Sequence, residues 1–339
     1  QVQVSLLAKV LVKRGFQVTL VTLDYGQAPE LEYEGVKVIK VYGPNEGFPI
    51  IRFIYPRVFK LWRVLKRINA DVFYTSCAGY IVGLVAYFCN KYDKKCIYRV
   101  AHDNDCDPNK LLIGLWRDRK LYEYGLRRQN KVLVQSDQQK TALTKNYNIS
   151  SIVAGMLVDK PNEVLDYGSR DIDVLWVNNI RQFKRPDLAI ELAKLLPEYS
   201  FHMIGGPNEL DLYHQIQSES AKVPNLKFHG PVPYHEINKY YAKAKVFINT
   251  SDSEGFPNSY LQAWIRGTPI VVFFDPDGRI EKNNLGYRAN NLFAMVEIIR
   301  DLLGSNEKWT KLSETCIQYM NNNFSDEKVL EPYISAINV

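Results

Sequence analysis

The sequence predicts an α/β chain of two doubly wound, Rossmann-like domains, and three observations carry that expectation. Short apolar runs of strand length alternate with longer runs of helical period along most of the chain, the grammar of parallel βαβ units. The length of 339 residues exceeds one ordinary core and suits two of roughly 150 residues each. Between the two sets of alternations lies "VAGMLVDKPNEVLDYGSRD", residues 153–171, which is polar and rich in turn formers. The expected division is 1–160, 161–320 and a terminal helix, 321–339, packing back on the first domain.

The first domain opens on "QVQVSLLAKVLVKRG", where Val4, Leu7, Ala8 and Leu11 share one helical face and Gly15 supplies the stop. After it come strand "FQVTLVTL", strand "GVKVIKVYG", helix "RVFKLWRVLKRI", strand "ADVFYTS", helix "YIVGLVAYFCNKY", strand "KCIYRVA", helix "LWRDRKLYEYGLRRQ", strand "NKVLVQS" and helix "DQQKTALTKNY". The second domain repeats the order with strand "DVLWVNNI", helix "RPDLAIELAKLL", strand "SFHMIGG", helix "DLYHQIQSESAK", strand "LKFHGPV", helix "YHEINKYYAKA", strand "KVFINTS", a short helix in "PNSYLQAW" and strand "TPIVVF". A single open parallel sheet is expected in each, with ligands at the carboxyl ends of the strands and a cleft between the domains. A doubly wound domain normally begins with a central strand and a Gly-rich turn; this sequence opens on a helix, so both are expected to be missing from its start.

Composition narrows the class. Five cysteines, Cys77, Cys89, Cys96, Cys106 and Cys316, form no Cys-x-x-Cys pair, which suits reduced thiols in a cytoplasmic protein rather than a disulfide framework or a zinc site. The longest nearly apolar run, "YIVGLVAYFC", is half of the ~20 residues that a membrane span needs. Residues 1–165 hold 25 Lys and Arg against 15 Asp and Glu, and 166–339 hold 18 against 22. The first half therefore meets something anionic or carries a solvated basic face. The excess is modest and no reading motif appears, so a nucleic-acid partner is not expected.

Two stretches carry chemistry. In "SDSEGFPNSYLQAWIRGTPIVVF" a strand end leads into a turn shaped by Gly255 and Pro257, and a helix begins near Asn258 or Ser259, where free backbone N–H groups attract an anion such as a phosphate. Glu254 stands just before this site and Gln262 eight residues later, as for a phosphate-linked ligand with hydroxyls at both ends. An acidic turn residue and a surface helix glutamine would read the same. In "VNNIRQFKRPDLAI" a strand runs into a turn with Arg181, Lys184 and Arg185, and Pro186 and Asp187 open a helix. At least one cation is thereby delivered to the strand end, to neutralise a diphosphate or simply to be solvated.

These segments, with "PNLKFHGPVPYHEINKYYAKAKVFINTS", "VLWVNNIRQFKRPDLAIELAKLLPEYSFHMIGGP", "IYRVAHDNDCDP" and "LYEYGLRRQNKVLVQSDQQKTAL", resemble the family 4 glycosyltransferases. These are retaining enzymes of the GT-B fold that use nucleotide-sugar donors, and within them the chain is most similar to bacterial transferases that build surface polysaccharides. The resemblance implies an acceptor-binding first domain and a donor-binding second. It places Glu254 at the donor sugar near the reacting carbon and Gln262, where the family has a glutamate, on the ribose hydroxyls. An amide oxygen accepts there without charge, at some loss of strength. Lys184 falls on the family's diphosphate lysine; Asn179 stands where the family has arginine, so Arg181 is the substitute candidate. The amides of Asn258 and Ser259 match the phosphate cradle, with Gly255 and Phe256 in the turn before them. Gly205, Gly206, Gly230 and Val232 lie where base and diphosphate pass. His102 and Asp103 in "RVAHDND" match residues that touch the transferred sugar, although a loop histidine bonded to its neighbours is the plain alternative. His202, His214, His229 and His235 have no metal spacing.

In the mechanism so implied, the acceptor hydroxyl attacks from the face that the nucleotide leaves, and the departing phosphate oxygen takes its proton. Fixed cations stabilise the diphosphate, so neither a metal nor a cofactor is expected beyond the UDP- or GDP-sugar substrate. The acceptor is expected to be a saccharide linked to polyprenyl diphosphate. Because "IIRFIYPRVFKLWRVLKR", Ile50 to Arg67, mixes cations with aromatics, peripheral contact with the cytoplasmic face of the inner membrane is expected, against an ordinary amphipathic helix with snorkelling cations. The rival functions are a sugar-nucleotide epimerase and a non-catalytic nucleotide-sugar-binding protein.

Overall fold

The computed structural model describes residues 2–48, 51–252 and 256–338. By its internal contacts the chain forms two compact units, Gln1–Leu157 with Leu330–Val339, and Val158–Val329.

In the first unit α1 (Val2–Lys13) precedes β1 (Thr19–Thr22), β2 (Glu30–Tyr33) and β3 (Val36–Lys40). Then α2 (Phe59–Ile68), β4 (Val72–Ser76), α3 (Tyr80–Tyr92), β5 (Lys95–Arg99), α4 (Trp116–Leu126), β6 (Lys131–Val134), α5 (Asp137–Tyr147) and β7 (Ile152–Val153) alternate. The strands form two sheets rather than the single one expected. One is β4-β5-β6-β7, wholly parallel; the other is β1-β3-β2, in which β2 runs antiparallel to β3. The sequence reading passed over β2 because "ELEY" lacks an apolar face. What makes it a strand is the turn: Glu34 and Gly35 both take positive φ, +51° and +76°, as a two-residue hairpin of the I′ type requires.

Helices α3 and α4 pack closely in this unit because each offers a glycine at the contact. A methyl on Gly83 would overlap the Leu121 carbonyl, and one on Gly125 would sit 2.5 Å from the Gly83 nitrogen and the Val82 carbonyl. The core gathers Val82, Tyr98, Tyr122, Leu126 and Leu143 in one cluster, and Phe73, Phe88, Cys89 and Cys96 in another.

The second unit contains β8 (Ile172–Val177), α6 (Pro186–Leu195), β9 (Phe201–Ile204), α7 (Leu210–Ser220), β10 (Leu226–Phe228), α8 (Tyr234–Lys243), β11 (Ala244–Asn249), α9 (Asn258–Trp264) and β12 (Ile270–Val272). After these come α10 (Arg279–Asn283), β13 (Gly286–Arg288), α11 (Leu292–Leu303), α12 (Asn306–Asn323) and α13 (Asp326–Ile337). All six strands are parallel, in the order β10-β9-β8-β11-β12-β13. Strands β8 and β11 are buried almost along their whole length, so both read as apolar runs, as interior parallel strands do. The chain lays β8, β9 and β10 outward on one side, then returns to place β11 on the other side of β8. The loops after β8 and β11 therefore leave the sheet at its one reversal of strand order, the position at which open α/β sheets hold ligands.

The last turns of α13 belong to the first unit. There the Tyr333 hydroxyl donates to the Gly155 carbonyl at 2.9 Å, and its ring lies 6.5 Å from that of Tyr74.

Candidate functional site

The candidate residues of the second unit all follow carboxyl ends of strands in one sheet. After β8 comes the cationic loop, 178–185. Lys184 closes a tight turn, Gln182–Lys184, with its N–H donating to the Arg181 carbonyl at 3.0 Å. Arg185 takes φ +48°, and its guanidinium donates to both carboxylate oxygens of Asp187 within 3.2 Å and lies 3.6 Å from Asp252. The Asp187 carboxylate holds Arg185 above its ordinary pKa, so this arginine is neutralised locally and serves the loop. Arg181 is exposed and Lys184 half-buried, its ammonium 4.8 Å from the Phe183 ring.

Across the reversal point lies the end of β11. Thr250 is fully buried; its hydroxyl accepts from Trp176 Nε1 at 2.9 Å and donates toward the Lys184 and Arg185 carbonyls at 2.9 and 2.8 Å. The Asp252 N–H donates to the Phe183 carbonyl at 3.0 Å. Two loops that diverge from the sheet are thus bolted together through one buried hydroxyl and one backbone bond. Thr250 lies in "KVFINTS" and was not foreseen, since a threonine ending a strand carries no signal until its partner loop is known.

Glu254 and Gly255 lie outside the described residues. Phe256 is buried, with its ring 6.3 Å from Trp264 and the Arg279 guanidinium 4.8 Å from it, so its side chain packs within the unit. Helix α9 begins at Asn258 after Pro257 and runs only seven residues, which limits its macrodipole; what it offers at this end is local N–H groups. Asn258 is exposed and Ser259 half-buried. Gln262 is not the surface glutamine that was one reading of the sequence. It is 8% exposed, and its amide donates to Asn238 Oδ1 on α8 at 3.2 Å, which orients the side chain. Asn238 was not foreseen, because the α8–α9 contact is invisible in sequence.

Gly205 and Gly206 follow β9, and Gly230 and Val232 follow β10. The Gly205 N–H donates to the Gly230 carbonyl and the Ile180 N–H to the Gly206 carbonyl, both at 3.0 Å. A side chain on Gly205 would collide with the Asn178 carbonyl, so the close approach of these strand ends requires glycine there. Half-buried Val232 lies in the segment leading to α8.

In the first unit His102 and Asp103 follow β5. Asn104 N–H donates to His102 Nδ1 at 3.2 Å, and Gln139 Nε2 donates to Asp103 Oδ1 at 2.8 Å. Behind them Asp105, unforeseen, accepts from the Ala101 and His102 N–H groups at 3.2 and 3.1 Å, and burial raises its pKa despite those bonds. His202 and His229 are hydrogen-bonded to each other at 3.2 Å, with the Tyr240 hydroxyl 3.4 Å beyond.

Residues 160–320 match the family model of glycosyl transferases group 1, and residues 1–154 match that of Glycosyltransferase Family 4. The O-antigen biosynthesis glycosyltransferase WbnH of Escherichia coli is 26% identical over 315 residues, 86% of each chain. Among solved structures, sucrose-phosphate synthase from Thermosynechococcus elongatus superposes with a TM-score of 0.77 at 14% identity, covering 98% of this chain and 91% of that one. A mutant of TarM from S. aureus, solved with fondaparinux, alpha-GlcNAc-glycerol and UDP, gives 0.67 at 18% identity over 84% of this chain; the match spans 59% of TarM.

Proposed function

We propose, since this chain belongs to the GT-B glycosyltransferases of the family 4 type, that it transfers a sugar from a nucleotide-sugar donor to a saccharide acceptor with retention at the reacting carbon. The O-antigen role in the name of its Escherichia coli relative supports surface polysaccharide as the product, with a polyprenyl-diphosphate-linked acceptor. The observation that carries the reading is the bolt at the sheet's reversal point, where Thr250 ties the Lys184 loop to the end of β11.

A diphosphate leaving group gathers negative charge as the sugar–oxygen bond breaks, and cations already held in place stabilise it without reorganising. Lys184 and Arg181 are assigned that task with the amides of Asn258 and Ser259, the oriented Gln262 is assigned to the ribose, and Glu254 to the donor sugar. The acceptor hydroxyl forms the new bond on the face that the diphosphate vacates and gives its proton to the departing phosphate oxygen. This route calls on no metal. Acceptor recognition is assigned to the first unit.

A thermal-shift screen of UDP- and GDP-sugars, followed by assay of nucleoside diphosphate release, tests the reading. One donor should stabilise the protein and release its diphosphate slowly alone and faster with a lipid-linked saccharide. An altered sugar nucleotide formed without acceptor would make the chain an epimerase; stabilisation with no release under any acceptor would make it a binding protein.

A further inference from the structure

We infer that the first unit carries a docking face for an anionic bilayer surface, formed jointly by residues 51–67 and 110–117. Among the described residues eighteen large apolar side chains are exposed, and seven of them fall within 51–59 and 112–116. Such crowding of apolar surface in two short segments marks an interaction face.

Each segment is built to present these groups. In the second, Leu111 and Ile113 pack against the core around Tyr98 and Tyr122, and this turns Leu112, Leu115 and Trp116 outward. In the first, Pro56, Leu61 and Leu65 are buried and the Phe53 ring stacks edge-on to Tyr80 at 5.3 Å, while Ile54, Tyr55 and Phe59 are exposed. Ile54, Leu112 and Trp116 are 69%, 79% and 75% exposed. The segments meet where the Arg117 guanidinium lies 3.4 Å from the centre of the Phe53 ring, next to Trp116 on one side and Ile54 on the other.

Charge selects the occupant. Residues 51–67 hold Arg52, Arg57, Lys60, Arg63, Lys66 and Arg67 with no carboxylate among them, and Lys110 and Arg117 flank the second segment. Four of these eight cations reach acids outside the segments, Lys60 to Glu46, Arg67 to Glu30, Lys110 to Asp107 and Arg117 to Asp118. Arg63 instead lies over the Phe59 ring at 4.7 Å and Lys66 over the Tyr92 ring at 5.2 Å, both in cation–π contact. Exposed aromatic and aliphatic groups ringed by cations match the boundary between acyl chains and anionic headgroups. Among the described residues no helix is long and apolar enough to cross a membrane, so this contact would lie on the surface. The inference deepens the proposed function by placing the enzyme where a polyprenyl-linked acceptor resides, and rests on that reading for the acceptor alone.

The test is co-sedimentation of the full chain with phosphatidylcholine vesicles, with and without phosphatidylglycerol. Binding should require the anionic lipid and weaken with salt. Ile54→Ser with Trp116→Ser, one exposed position from each segment, should lower the bound-to-free ratio at least about 10-fold, and Arg63→Glu with Lys66→Glu should abolish the preference for anionic vesicles. Equal binding to neutral vesicles, no binding to either, or wild-type binding by both double variants would overturn the inference. So would a lipid-free dimer that Ile54→Ser with Trp116→Ser dissolves, which would make the face a self-association surface. Diphosphate release with a water-soluble acceptor, measured without vesicles, should be unchanged in both double variants; its absence from the wild-type protein would sink the transferase reading and leave the sedimentation result standing.

Discussion

The two units are built from the same alternation of strand and helix but hold their surfaces in different ways. In the second, six parallel strands with one reversal send the loops after β8 and β11 out side by side, and buried polar bonds lock them: Thr250 to the Lys184 and Arg185 carbonyls, and Asp252 to Phe183. In the first, four parallel strands stand beside a separate three-stranded sheet, and the 111–115 loop is held by the apolar anchors Leu111 and Ile113 beside two helices pressed together at Gly83 and Gly125. Hydrogen bonds are directional and fix the backbone from which the Lys184 side chain springs; apolar packing is not directional, and suffices to present a surface. The difference suits a diphosphate clamp in one unit and a face for a broad, fluid partner in the other.

The comparison breaks most visibly at Lys184. Replacing it with alanine should slow transfer by about 100-fold or more, since one preorganised charge stabiliser is commonly worth ~3 kcal/mol in the barrier. Single-turnover rates at saturating donor check this, and a near-normal rate would show that the locked loop serves no charge. The matching change in the first unit is Gly125→Ala, whose new methyl meets the Val82 carbonyl at 2.5 Å. It should destabilise that unit by about 2–3 kcal/mol through overpacking. Denaturant unfolding followed at Trp62, which packs beside Phe88 in the first unit, should show an early transition while nucleotide binding by the second unit persists. Simultaneous loss of both would mean that the units fold as one.

Much of this was legible in the sequence for physical reasons. Within "DVLWVNNI" the apolar stretch Val174 to Val177, buried at Val174, Leu175 and Trp176 and so on both faces, announces an interior parallel strand; "RQFKRPD" announces its cationic turn through Pro186 at the first helical position. The hairpin strand β2 stayed hidden because its alternation is between acids and half-exposed residues, and only the conformation of Glu34 and Gly35 reveals it. Gln262 was placed on the right helix, yet its burial against Asn238 depends on two helices meeting, which no local pattern encodes. Asp105 caps its own turn, accepting from the N–H groups of Ala101 and His102 just before it, whereas Thr250, whose role is to bond a distant loop, carries no signature in its own neighbourhood. The exposed set at Leu112, Leu115 and Trp116 is of the same kind, since its meaning depends on Leu111 and Ile113 pointing the other way.

The smallest expected effect is the most telling for the lock itself. Thr250→Val keeps the shape of the side chain and removes its hydroxyl, so the Trp176 N–H loses its acceptor and the Lys184 and Arg185 carbonyls lose their donor. Unsatisfied groups in a fully buried place cost about 2 kcal/mol of stability, which a shift in the denaturant midpoint of the second unit would register. If the bond also positions Lys184, transfer should fall roughly 10-fold, equivalent to about 1.4 kcal/mol in the barrier, with the loss in kcat rather than in the affinity for the nucleoside. Thr250→Ser restores the hydroxyl without the methyl and should recover most of that rate. A Val variant that is less stable but transfers normally would show that the hydroxyl holds the sheet together and leaves the lysine to find its own place.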